Sequence, residues 1–333
     1  MKARNFRYAA LSVLVLNLAV IVWGAYVRAS FSGDGCGTHW PTCRGEVIPI
    51  GAAAKTFVEF SHRASSGLAL LCIVALAIWA FFAFPRGHWA RRGAVYSVIF
   101  IFSEAIIGAG LVLFRLVTDN KSIYRAVALS GHLLNTFVLL AFLLATAWAA
   151  SSRFAEKSPR INWRGQGAVG WILGVGLALM LIAGVCGSIA ALGDMLFPSA
   201  NLAAGLQADF NPLSSMMIRL RWIHPVVSVT TGVYLVWAGV YLVRFLPVTY
   251  VRQAAWVVIA LVGVQIIAGV ANLLLLAPIP MQMLHLLLAD LLWLALVRLT
   301  LEVIQARNSE NKVELKKERS PGQEMQSATP AVS

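Results

Sequence analysis

The stretch Phe57-Val-Glu59-Phe-Ser-His62-Arg63-Ala-Ser-Ser-Gly-Leu-Ala-Leu-Leu-Cys72-Ile-Val-Ala-Leu-Ala-Ile-Trp-Ala-Phe-Phe-Ala-Phe84 opens on a carboxylate, a histidine and an arginine, then runs without a charge from Ala64 to Phe84. An uncharged apolar run of this length crosses about 30 Å of hydrocarbon as a helix, which satisfies its own backbone polar groups. The run lacks the strict alternation of a barrel strand, so its reading is helical. Seven further stretches resemble it, and the full set falls near 7–27, 57–84, 93–114, 124–150, 166–192, 217–244, 252–276 and 282–305. Over 333 residues the chain is 59% hydrophobic and 12% charged, outside the range of a soluble domain. The expected fold is an all-α integral membrane protein with eight transmembrane helices.

A formal charge of +13 invites a nucleic-acid reading, but the placement of the basic residues excludes it. If the N-terminus lies inside, eighteen of the 27 Lys and Arg fall on inside segments, among them Arg4, Arg91, Arg160 and Arg252. The positive-inside bias puts both termini in the cytoplasm, in keeping with an even number of spans. The basic start and first apolar run resemble a signal peptide, yet the run is long and further spans follow, so an uncleaved anchor is expected. No Arg-rich transit segment precedes it, which favours a bacterial inner membrane. Residues 306–333 are polar and charged and are expected to form a disordered cytoplasmic tail.

The two halves align as parallel repeats. Gly24 matches Gly187, His62 matches His224, Glu104-Ala-Ile-Ile-Gly108 matches Gln265-Ile-Ile-Ala-Gly269, and His132 matches His285. The expected organisation is two tandem four-helix bundles, 1–150 and 151–305, since four spans restore the same orientation. Long outer loops, near 28–56 and 193–216, cap both bundles on one face. Inside connections are short and basic.

Each even-numbered span carries one histidine four to eight residues from its outer end, on the order of 6–12 Å deep at 1.5 Å per residue. Ionisable or metal-ligating residues are scarce at membrane depth, and paired histidines across a bundle core suit the two axial positions of a haem iron. A structural zinc site would want four close ligands, and no cysteine accompanies these histidines. Glu59 lies three residues before His62, while Arg221 lies three before His224. The carboxylate suits chemistry beside one haem; the arginine suits pairing with a propionate beside the other. Arg28, Arg63, Arg125 and Arg219 also sit at outer helix ends and are further propionate candidates. Cys36 and Cys43 flank six loop residues on a face where disulfides form, either as a staple or as a redox pair. Glu104 and Asp290 are the other acidic residues within spans. His39 and His88 have no counterpart in the repeat and are given no role.

Taken together, Gly-Asp-Gly-Cys36, Trp40-Pro41-Thr42-Cys43, Glu59-Phe-Ser-His62-Arg63, Gly131-His132, His224 and His285 resemble the haem A synthase family over nearly the whole chain. The resemblance implies oxidation of a methyl group of haem O to the formyl group of haem A by two successive hydroxylations, the second giving a geminal diol that loses water. It implies that His62 and His132 hold the substrate haem with Glu59 as the catalytic residue. It also implies that His224 and His285 ligate a haem b cofactor, and that Cys36 and Cys43 are disulfide-bonded. Some members carry a second cysteine pair in the loop of the second repeat; this chain has none between Gly193 and Met216. Haem O, the lipid bilayer, a haem O synthase and terminal oxidase assembly factors are the implied partners, and nucleic acid is not. The rival readings are a di-haem electron carrier and a repeat-built transporter.

Overall fold

The computed structural model describes residues 2–51, 53–154 and 157–318, with side chains as far as Ser309. Among the described residues ten α-helices follow one another: α1 (Lys2–Ala29), α2 (Ala54–Ala83), α3 (Trp89–Leu113), α4 (Ile123–Ala149), α5 (Gly167–Leu196), α6 (Leu202–Phe210), α7 (Met216–Arg219), α8 (Ile223–Phe245), α9 (Thr249–Leu274) and α10 (Ile279–Glu318). There is no β-strand among the described residues, only an isolated bridge between Cys43 and Glu46. Among the described residues seven helical stretches are long and apolar enough to cross a membrane, α7 and α8 counting as one. Large apolar side chains such as Phe82, Trp171 and Ile267 stand more than two-thirds exposed along them, which is tolerable where the surroundings are hydrocarbon. The chain is an integral membrane protein.

Helix boundaries follow local chemistry. Ser122 caps α4 by accepting from the Arg125 amide, and Asn201 caps α6 by accepting from the Ala204 amide at 2.8 Å. His88 caps α3 through Nδ1, 3.1 Å from the Ala90 amide, while its Nε2 lies 2.9 Å from the Phe154 carbonyl. That fully structural use accounts for a buried histidine that has no repeat partner.

Three expectations need adjusting. The span expected over 217–244 is broken at residues 220–222, because a continuous helix would put the Pro225 ring against the Arg221 carbonyl and would lack an amide there. Pro225 instead sits in the first turn of α8, where its missing N–H has no helical partner to lose. His224 is therefore the second residue of α8 rather than several residues inside it. The short helix α6 was not foreseen in the loop near 193–216. Helix α10 continues to Glu318, into the segment expected to be disordered; residues 319–333 lie outside the described residues.

The helices pack as two closed rings. α1 packs on α2 and α4, with α3 between α2 and α4; α5 packs on α8 and α10, with α9 between them. The rings meet where α4 packs on α5 and α10, and where α1 touches α10. At that seam Phe137 and Trp293 stack with centroids 5.2 Å apart, and Trp293 Nε1 donates to the Phe137 carbonyl at 2.7 Å. At the end opposite the long loops, Glu302 accepts from Trp148 Nε1 at 2.9 Å and from Arg153 at 2.8 Å. This clamp fixes the connection between the rings and leaves the loop end free to carry a site.

Candidate functional site

Each histidine of the repeat rests on a glycine of the preceding long helix. A Cβ added at Gly24 would stand 2.7 Å from Cε1 of His62, and one at Gly187 would stand 2.9 Å from Cε1 of His224. The corresponding distances are 3.8 Å for Gly108 and His132, and 3.1 Å for Gly269 and His285. The glycines paired by sequence alignment are thus the ones that give the imidazoles room. The His224 and His285 ring centroids are 6.2 Å apart, with planes inclined at 84°.

All four histidines line one cavity of about 900 Å³, large for a small-molecule pocket, which typically measures roughly 300–1,000 Å³. Its walls include Glu59, Arg28 and Arg125 from the first ring, and Asp194, Asp209 and Arg221 from the second. Between the two histidine pairs, Ser130 on α4 and Ser188 on α5 are 2.8 Å apart, each close in sequence to a histidine or its glycine.

The acidic and basic residues divide unevenly. Glu59 is buried and lines the cavity, yet both oxygens are engaged: Oε1 accepts from Arg63 Nε at 3.1 Å and Nη2 at 2.5 Å, and Oε2 accepts from the Cys36 amide at 2.7 Å. Arg221, expected to meet a propionate, is held by Asp209 at 2.7 Å and Asp194 at 3.1 Å. Arg63 is likewise committed, to Glu59 and to the loop. Arg219 is exposed and does not line the cavity. Arg125 donates Nη1 to the carbonyls of Thr118 and Asn120. Only Arg28 and Arg125 combine a place on the cavity wall with a buried Nε that has no hydrogen-bond partner among the described residues. The Cys36–Cys43 disulfide is formed, and both cysteines are buried.

Glu104 stands beside a histidine of the site. Its Oε1 lies 3.3 Å from His132 Nδ1, and it accepts from Asn135 Nδ2 and Thr136 Oγ1. Gln265 Nε2, its counterpart in the repeat, lies 3.4 Å from His285 Nε2 and donates to the His285 carbonyl at 3.2 Å. The signal was the polar residue four before each glycine, which one helical turn places beside the histidine of the next helix. Asp194 and Asp209 had no such signal. Asp290 is buried on α10 with neither carboxylate oxygen hydrogen-bonded among the described residues, and it does not line the cavity.

Among the described residues no group of three or more His, Cys, Asp or Glu could hold a metal ion alone, which leaves histidine pairs facing a common space. Paired imidazoles that line one cavity inside a helical membrane bundle are an arrangement that can hold a planar metal macrocycle. Residues 7–297 match the family described as COX15-CtaA, cytochrome oxidase assembly protein, and the chain belongs to that family. It is 45% identical over 296 residues to a protein of Thermus thermophilus named Protoheme IX farnesyltransferase, covering 89% of this chain and 48% of that relative. It is 42% identical over 98 residues to a Heme A synthase of Exiguobacterium sp., covering 29% and 33% of the two chains. A Heme A synthase of Exiguobacterium sibiricum is 32% identical over 142 residues, covering 43% and 46%. The chain spans about half the length of the Thermus relatives it matches.

The residues present fit haem on grounds of their own. His224 and His285 line the same cavity with their ring centroids 6.2 Å apart, so the pair could hold a metal-centred macrocycle between them. Nδ1 of His62 and Nδ1 of His285 are buried with no hydrogen-bond partner among the described residues.

Proposed function

We propose that this chain is a haem A synthase, an oxidoreductase that converts a methyl group of haem O to the formyl group of haem A for terminal oxidase assembly. The observation that carries the reading is the asymmetry of the cavity the four histidines share. Two equivalent histidine pairs line it, but a carboxylate three residues before the histidine, Glu59, stands beside only one of them. The relatives named Heme A synthase support it.

In this reading residues 1–150 are the substrate half and 151–305 the cofactor half, each a four-helix bundle in which α10 supplies the eighth span. Both termini face the cytoplasm of a bacterial cell, and the loop end faces outward. His62 and His132 hold haem O. Glu104 orients the His132 ring through Nδ1, as a carboxylate behind a ligating histidine does. Arg28 and Arg125, with their unpartnered Nε groups, take propionates. His224 and His285 hold haem b, which when bound would supply reversible one-electron chemistry. Glu59, already ion-paired, is a poor base; its charge stabilises positive charge that develops on the substrate ring. The Thermus relative, named for farnesyl transfer to protohaem IX, supports a farnesyltransferase as the membrane partner that supplies haem O.

The test is conversion by the purified full-length chain in membranes given haem O, a reductant and oxygen. Haem A in the extract is the expected product. Unchanged haem O in a preparation that retains its bound haem sinks the assignment.

A further inference from the structure

The loop closed by Cys36 and Cys43 is seated on α2 rather than standing free above it. Gly35 approaches the start of α2 so closely that an added Cβ would lie 2.4 Å from the Lys55 carbonyl oxygen. The Gly35 carbonyl accepts from Thr56 Oγ1 at 2.8 Å and from Arg44 Nε at 3.0 Å. Two side chains one helical turn apart on α2 complete the seat. Glu59 accepts from the Cys36 amide, as described above. Arg63 Nη1 donates to the carbonyls of His39 at 2.6 Å and Thr42 at 2.8 Å, while its Nε and Nη2 grip Glu59. One guanidinium therefore ties the carboxylate of α2 to the backbone between the two cysteines. The loop in turn covers the cavity, since Gly33, Trp40 and Pro41 line it beside His62.

We propose that this disulfide-closed loop is the lid of the cavity on the His62 side, and that Arg63 is the positioning residue that latches it, holding Glu59 and the lid as one unit. The proposal rests on the reading that His62 and His132 take the substrate haem. The planar fork of arginine serves a carboxylate and two carbonyls at once, whereas a lysine ammonium reaches fewer of them in fixed geometry. At 0% and 1% exposure, Cys36 and Cys43 are sealed by this seat, so loosening the latch uncovers the disulfide and frees the carboxylate together. In the second ring Pro225 stands in place of Arg63, and Arg221, which stands in place of Glu59, is consumed by Asp194 and Asp209.

Two measurements on the full-length protein in lipid nanodiscs test this, with the free Cys72 and Cys186 replaced by serine in every variant. In the first, dithiothreitol reduces Cys36–Cys43 and the freed thiols are counted by maleimide labelling. Arg63→Ala is expected to be reduced about tenfold faster than the parent, the scale of losing one charge-assisted hydrogen bond. Arg63→Lys is expected to fall between them, and Arg219→Ala to match the parent. If Arg63→Ala does not accumulate, Glu59→Gln replaces it, with faster reduction again expected. In the second, haem O bound to the protein is released to excess apomyoglobin. Arg63→Ala, and the parent after reduction, should release it about tenfold faster while release of the second haem is unchanged. Equal reduction rates in the variant and the parent overturn the latch. Faster reduction with unaltered haem O release overturns the lid. A parent that binds no haem O overturns the substrate reading and the lid with it, while the reduction rates still decide the latch.

Discussion

His62 packs against Gly24 so closely that a Cβ there would stand 2.7 Å from the ring, and His224 meets Gly187 in the same way at 2.9 Å. No real Cβ sits that near, so alanine at either glycine must swing its imidazole. Gly187→Ala is expected to lower the affinity for the haem of the second ring about 10- to 100-fold, as displaced supporting groups do at metal sites. Gly131→Ala provides the control, because nothing lies within 4 Å of its Cβ position and alanine favours a helix interior by roughly 0.5–1 kcal/mol. Haem per polypeptide after purification distinguishes them.

Glu104→Ala removes the carboxylate beside His132 Nδ1. The expected outcome is weaker haem binding in the first ring, by about 10- to 100-fold, with the haem of the second ring retained. Gln265→Ala should show the mirror pattern. Difference spectra of the two variants, which separate the haem populations, check both.

Glu59→Ala is expected to leave haem b bound while haem O, or a partly oxidised haem, accumulates. The rate should fall at least about 100-fold, as on removal of one stabilising group from a preorganised site. Unchanged haem A output from this variant would remove Glu59 from the mechanism.

Arg28 and Arg221 should part company. Arg28→Gln deletes a cavity-lining group whose Nε is unpartnered, so haem retention should drop with little change in thermal stability. Arg221→Ala strands Asp194 and Asp209, and a part-buried charge left without its partner lowers the unfolding midpoint instead. Thermal unfolding alongside haem content measures both; a matching response in the two variants counts against the division.

Much of this arrangement was legible in the chain. Length and hydropathy set the helical spans, and the alignment of Gly24 with Gly187 and of Gly108 with Gly269 marked the helix faces on which the histidines lie. What the sequence could not carry was the partner of each charged side chain. Arg221 read as a propionate ligand because Asp194 and Asp209 are distant in the chain and reach it only once α5, α6 and α8 are assembled. That Glu59 also accepts from the Cys36 amide was not legible, because that amide belongs to a loop whose path depends on Gly35 packing against Lys55. The break before His224 was written in Pro225, a signal that the apolar run on either side obscured.

The most direct measurement is the haem content of cells that make haem O, with and without this chain, extracted and separated by chromatography. Haem A that appears only when the chain is present, and that is lost with Glu59→Ala, is the result the account requires. Equal haem A with and without the chain contradicts it, and leaves two histidine pairs that carry electrons without altering a haem.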